Sequence, residues 1–268
     1  MRLNTFFSRH PVFTTKEVAD FLRQRGSDSR WTQKALLAHH EQQGHIVRLR
    51  RGLYASVPSG VDPVEVSVDP YLVASKLTDD AVLAYHTALE FQGKAYSTFS
   101  RFCYLTAHRT RPCSIRSQRF RGVIVPKALR TKGKEFVYVR SYDRSGLSVP
   151  VTTLERTLVD VFDRPRLSGT WEEIWRSLES IEFFDLDVLV QYALLLDNAT
   201  TIAKVGYFLD QHRERLMVED SHLDVLKSHR PKQPHYMDRN APGQSQLEDE
   251  WNLVVPAYVA EHRWEEVR

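Results

Sequence analysis

The first 58 residues switch from a helical to an alternating hydrophobic period, and a capping or stop residue marks each boundary, which leaves little choice of fold. Leu3, Phe6 and Phe7 fall at i, i+3 and i+4, the spacing of a short amphipathic helix that His10 and Pro11 would end. Thr14 to Glu17 reads as a capping box, in which the hydroxyl takes the amide of the third helical residue and the Glu side chain reaches back. The helix it opens buries Val18, Phe21 and Leu22, turns Lys16, Asp20 and Arg23 outward, and stops at Gly26. Ser27, Asp28 and Ser29 offer oxygens to cap a third helix, with Leu36, Leu37 and His40 facing inward and Gly44 closing it. Residues 46–49 and 53–56 are β-prone runs joined through Arg50, Arg51 and Gly52, a hairpin whose turn carries two guanidiniums. Three short helices followed by a basic hairpin are the order of a winged helix-turn-helix. Trp31, at the start of the third helix, reads as packing against the first helix, with stacking on a sugar as the other use of an indole there.

The net charge of +3 conceals a partition along the chain. Residues 1–58 hold 10 Lys and Arg against 4 Asp and Glu, residues 59–150 hold 14 against 8, and residues 151–268 hold 13 against 22. The segments therefore carry +6, +6 and −9, which predicts a polyanion-binding front and an acidic rear that stays solvated or meets a basic partner. At 268 residues and 42% hydrophobic content the chain can bury a real core. It has no apolar run of about 18 residues, and its start lacks the apolar h-region of a secretory signal. Cys103 and Cys113 are too few for a disulfide framework. The reading is a protein that stays in a reducing cytoplasm and does not cross a membrane.

Residues 57–70 hold three prolines and a glycine and read as an extended connector. The expected organisation is a winged helix-turn-helix over residues 1–58, a linker over 59–70 and a larger α+β domain over 71–268, the whole chain being of the α+β class. In that domain a basic, strand-rich part (71–150) precedes an acidic, helical part (151–268). Residues 71–77 and 81–91 read as helices. Residues 101–107, 120–126 and 135–141 are β-branched and aromatic runs, expected to form a small antiparallel sheet. Between Arg101 and Arg144 lie 12 Lys and Arg, among them Arg109, Arg111, Arg116, Arg119 and Arg121, and only Glu135 and Asp143 oppose them. Charged strand edges blunt unwanted pairing, but that does not require the acids to vanish, so we read a phosphate-contacting surface, with docking of an acidic protein as the competitor. Tyr96, Phe99, Phe102 and Tyr104 read as core rather than as stacking platforms.

Beyond residue 150, a capping box at Thr152 and Glu155 opens a helix with Leu154, Leu158, Val161 and Phe162 on one face, ending before Pro165. Arg156 and Asp160 are expected to pair at i, i+4 on its polar face. Residues 185–198 and 201–214 repeat the helical pattern, with Asp185 as a cap.

The string GHIVRLRRGLY at residues 44–54 resembles the AbiEi family of bacterial antitoxins and transcriptional regulators. VPVTTLERTLVDVFDRP, GTWEEIWRSLE, AKVGYFLDQH and YMDRNAPGQSQLEDEWNLVVP resemble the carboxy-terminal region of the same family, so the likeness runs along nearly the whole chain. In such a module the third helix enters the major groove, which would place Ser29, Arg30, Thr32, Gln33 and Lys34 at base edges. Arg48, Arg50 and Arg51 of the wing would meet phosphates or the neighbouring minor groove. The resemblance implies a type IV toxin–antitoxin system of phage defence. Its antitoxin is encoded beside a nucleotidyltransferase-like toxin and represses its own operon by binding promoter repeats. It neutralises the toxin through its carboxy-terminal domain, without need of stable contact.

No pattern for chemistry competes with this reading. HExxH and GxxxxGK[ST] are absent, no Asp or Glu is followed two residues later by Lys, and Gly26-Ser27 has no aspartate pair after it. His39, His40 and His45 have no nearby Cys or carboxylate to complete a tetrahedral metal set, and Cys103 sits in an aromatic strand where a thiol is inert. The expectation is a regulator with no catalytic residues, metal or cofactor. The alternatives are a protein-interaction module that docks an acidic partner and an unfamiliar metal-dependent nuclease.

Overall fold

The computed structural model describes residues 3–27 and 29–264, so the expected capping role of Asp28 lies outside the described residues. Contacts divide the chain into two compact units, residues 1–83, 100–123 and 141–151, and residues 84–99, 124–140 and 152–268. They group the winged helix with most of the strands. Lys16 reaches Asp79 at 2.8 Å, Lys76 pairs with Glu17, and Arg116 donates to the carbonyls of Val64 and Pro63.

The first unit opens with α1 (Asn4–Phe7), β1 (Val12–Thr14), α2 (Thr15–Arg23), α3 (Arg30–Gln42), β2 (Ile46–Arg50) and β3 (Leu53–Ser56). The capping box at Thr14 and Glu17 is present, and Ser29 caps α3 through the amide of Thr32. Phe6, Phe7, Phe13, Val18, Leu37 and Ile46 form the shared core of these elements. The hairpin carries a third strand that its sequence does not announce: β1 pairs antiparallel with β3, setting Phe13 opposite Tyr54.

The unit continues with α4 (Pro70–Ser75) and holds most of a six-stranded sheet. Its strands are β4 (Val82–Leu83), β5 (Arg101–Thr106), β6 (Cys113–Ile115), β7 (Gln118–Ile124), β8 (Val139–Arg144) and β9 (Leu147–Thr152), in the order β6-β7-β5-β4-β9-β8. Three expectations are corrected. Residues 81–85 are not helical, because Leu83 is needed at the sheet centre, opposite Tyr104 of β5 and Val151 of β9. The sheet is not purely antiparallel, since β4 and β9 run parallel. The strand expected over 135–141 begins only at Val139, after a turn in which Tyr138 takes a φ of +53°.

The second unit is mainly helical: α5 (His86–Phe91), α6 (Lys127–Thr131), α7 (Leu154–Asp163), α8 (Trp171–Glu179), α9 (Leu186–Leu196), α10 (Ala199–Gln211), α11 (Arg213–Leu216), α12 (Asp220–Ser228) and α13 (Ala257–Ala260). Phe162, Trp175 and Phe208 are fully buried and meet ring to ring at its centre. The cap of α7 is Thr153, one residue beyond the expected Thr152, whose hydroxyl bonds Thr157 instead. The Arg156–Asp160 pair forms at 3.2 Å but lies wholly inside the protein, not on a polar face. There Tyr192 of α9 donates to Asp160 at 2.6 Å, and Arg156 donates to the carbonyls of Glu135 and Val137. The acidic end is not all helix, because β10 (His235–Tyr236), β11 (Ser245–Glu248) and β12 (Leu253–Pro256) form a mixed three-stranded sheet. Among the described residues no helix is long and apolar enough to cross a membrane.

Candidate nucleic-acid interface

The helix-turn-helix is held in register by one residue of α2. The amide of Thr15 donates to the carbonyl of Gly52 in the wing turn at 2.9 Å, and the carbonyl of Thr15 accepts from the side-chain amide of Gln33 on α3. The wing tip, α2 and α3 are therefore joined by consecutive hydrogen bonds. Gly52 has a φ of +82°, a value glycine adopts freely at the end of a two-residue turn and an L residue only under strain. At the base of α2, burial would raise the Glu17 carboxyl, but hydrogen bonds from Lys76 and Thr14 outweigh it and hold the group below the usual carboxylate range.

On α3 the inward residues are Leu36, Leu37 and His40, as their spacing demands. Ser29, Arg30 and Lys34 are exposed, and Thr32 and Gln33 are half-buried. Gln33 was expected at a base edge; its amide is instead engaged with Thr15, so in this geometry it positions the helix. Trp31 departs further from its sequence reading, for it is 80% exposed and not part of the core that α1 shares. At the far end of α3, His40 and His45 share a hydrogen bond of 3.1 Å between their Nδ1 atoms, and burial together with His45 and His39 lowers the His40 imidazole. Among the described residues no three potential ligands cluster to hold a metal ion.

In the wing, Arg48, Arg50 and Arg51 are exposed, with a register shift between Arg48 and Arg50 where β2 meets β3. Arg50 lies 3.7 Å from the Cys113 thiol of β6, so the wing borders the basic region of the larger sheet. There Arg101, Arg119 and Arg121 line a hollow of about 350 Å³ together with Cys113 and Ser114. Arg109 and Arg111 are exposed on the loop between β5 and β6. Arg116, with a φ of +53°, is occupied by the linker carbonyls of Pro63 and Val64. Among the described residues, no carboxylate pairs with Arg30, Lys34, Arg48, Arg50, Arg51, Arg109, Arg111, Arg119 or Arg121 at salt-bridge distance. Phe102 and Tyr104 are buried in β5, and burial raises both the Tyr104 hydroxyl and the Cys103 thiol beside it.

In the second unit a buried arrangement that brings a hydroxyl, an imidazole and a carboxylate together is built the wrong way round for nucleophilic catalysis. Glu173 sits in the middle, accepting from His86 at 3.1 Å and from the Ser97 hydroxyl at 2.6 Å. A nucleophile needs the imidazole between hydroxyl and carboxylate. Glu173 also accepts from the Ser97 amide and the Ser177 hydroxyl, so it fastens the segment before β5 to α8.

Among solved structures, the RV2827C protein from Mycobacterium tuberculosis is similar over 98% of this chain and 93% of its own, with a TM-score of 0.61 and 18% sequence identity. A likeness at that identity shows the fold alone. No curated protein sequence matches the chain. Residues 1–57, which end at the last strand of the wing, match the family model of the AbiEi antitoxin transcriptional regulators, the family that the sequence of this hairpin resembles.

Proposed function

We propose that the chain is a sequence-specific DNA-binding repressor of its own operon and the antitoxin of a toxin–antitoxin system, acting in the cytoplasm. The observation that carries this reading is a set of cations with no carboxylate at pairing distance among the described residues, Arg30 and Lys34 on α3 and Arg48, Arg50 and Arg51 on the wing, held in one hydrogen-bonded frame through Thr15. Residues 1–58 are the DNA reader: the start of α3 lies in the major groove, the wing lies on the flanking backbone, and Arg109, Arg111, Arg119 and Arg121 add phosphate contacts that fix register. Residues 71–268 carry the antitoxin role toward a nucleotidyltransferase-like toxin, functionally and without a need for stable contact.

Footprinting on the DNA upstream of the chain's own gene tests the reading. Neutralising about six to ten phosphates makes the affinity fall by about 10³ to 10⁵ between 50 and 200 mM salt, with a protected repeat at low salt. Uniformly weak protection of every duplex would sink the proposal and favour docking of an acidic protein. Dependence on magnesium or manganese with strand cleavage would favour a nuclease. For the antitoxin role, co-expression with the product of the neighbouring gene should restore growth, and a variant with Arg50 and Arg51 both replaced by Ala should still restore it while losing repression.

A further inference from the structure

We propose that Trp31 is a specificity residue of the DNA reader, its indole packing on the 5-methyl group of a thymine in the major groove. The inference rests on the DNA-binding reading above.

Three observations lead to it. Trp31 is the most exposed large apolar side chain among the described residues, at 80%, whereas Trp171, Trp175 and Trp251 are at most 4% exposed. Its position is the second residue of α3, between Arg30 and Lys34, so a polyanion drawn to those cations arrives at the indole. Finally, Lys34, Ala35 and Ala38 follow it at i+3, i+4 and i+7 and are all exposed, which makes one outward stripe with Trp31 at its head and small side chains behind it. Beyond Lys34 the stripe is two methyl groups, which lets that part of the helix come close to a groove floor, and the indole then stands in front of it.

The chemistry of the groove selects the contact. The base edges there present hydrogen-bond donors and acceptors and one apolar group, the thymine methyl. An indole offers a large apolar face and a single donor, so it gains from the methyl and discriminates poorly among the polar edges. Charge complementarity with the flanking cations favours a nucleic acid over a second copy of this chain as the occupant, since two copies would bring Arg30 and Lys34 against their own counterparts.

The test uses the full chain. Duplexes are enriched by the wild-type protein from a random-sequence pool, and each thymine of the winning site is replaced in turn by uracil, which removes only the methyl group. Trp31→Ala should weaken binding to the winning duplex by about ten- to thirtyfold, with Trp31→Phe between the two, and should leave the thermal midpoint unchanged because the side chain is exposed. One thymine-to-uracil change should cost the wild type about fourfold, the transfer value of one methyl group. The same change should cost Trp31→Ala nothing, the signature of direct coupling. Equal uracil penalties in both proteins, or wild-type affinity in Trp31→Ala, overturn the role of Trp31 while leaving the DNA-binding reading intact. A wild-type dimer that Trp31→Ala converts to monomer in sedimentation overturns it in favour of self-association. A pool in which no sequence is enriched overturns both.

Discussion

The two units hold the two extremes of arginine use. Arg30, Arg48 and Arg51 of the first unit stand in solvent with no carboxylate at pairing distance among the described residues, while Arg156 of the second is buried, faces Asp160 and donates to two backbone carbonyls. A buried guanidinium holds its surroundings in place and exposes nothing for a ligand. An exposed one adds almost nothing to stability, so its accumulation without counter-charges points outward, to a polyanion. On the reading proposed above, the exposed set belongs to the part that meets DNA, and Arg156 to the part that holds its own fold together.

If that contrast holds, Arg156→Met should be the most damaging change. It leaves Asp160 buried without its partner and should lower stability by about 3–5 kcal/mol in urea unfolding. Replacing Arg156 and Asp160 together by apolar residues should cost markedly less, and equal losses would deny that the uncompensated carboxylate is the cause. Next comes Glu173. Burial alone would raise its carboxyl, yet the hydrogen bonds from His86 and Ser97 hold it at about 2, below the ordinary 4.5. A lowered folded value contributes stability that is complete above about pH 4.5 and is lost as the pH falls toward 2, an effect of at most about 3 kcal/mol. Thermal scans from pH 6 to pH 2 should show Glu173→Gln less stable near neutrality and converging with the wild type in acid; parallel curves would contradict the assignment.

The outer cations should behave in the reverse manner. Replacing Arg50 and Arg51 by Ala should flatten the slope of log affinity against log salt by about 1.8, and unfolding should shift by no more than about 0.5 kcal/mol. A large loss of stability with an unchanged slope would place these residues with Arg156. The smallest effect on binding belongs to Gln33→Ala, which removes one hydrogen bond to Thr15 and should cost about 1 kcal/mol of stability, weakening binding to all duplexes alike. A change of preference between sites at constant stability would instead return Gln33 to the base edges.

The winged helix was legible because its boundaries are written in local chemistry. Thr14, Glu17 and Ser29 cap where their side chains allow, and Gly26 and Gly44 adopt the positive φ that stops each helix. β1 was not legible, since three residues after Pro11, the last of them the cap of α2, carry no period of their own and become a strand only when β3 lies alongside. Val82 and Leu83 show the same dependence: the run AVLAYHTALEF has helical spacing throughout, and the sheet overrides it. For Arg156 and Asp160 the i, i+4 pairing could be read from sequence. Their burial could not, because the groups that cover them come from the turn at residues 135–138 and from Tyr192, distant in the chain. The candidate site divides in the same way. Its cations were visible as composition, but the exposure of Trp31 and the engagement of Gln33 and Arg116 depend on which neighbours are absent or present in space.

The hydrogen bonds of Thr15 to the wing turn and to α3 also set a dimension. With Gly52 fastened on one side and Gln33 on the other, the span from the start of α3 to the wing tip is a property of the fold and not of a flexible arm. On a duplex read as proposed, the protein works as a caliper: it accepts sites whose groove and flanking backbone match a preset gauge, and inserting one base pair between the two contacts should be tolerated far less well than changing a base that neither contact touches.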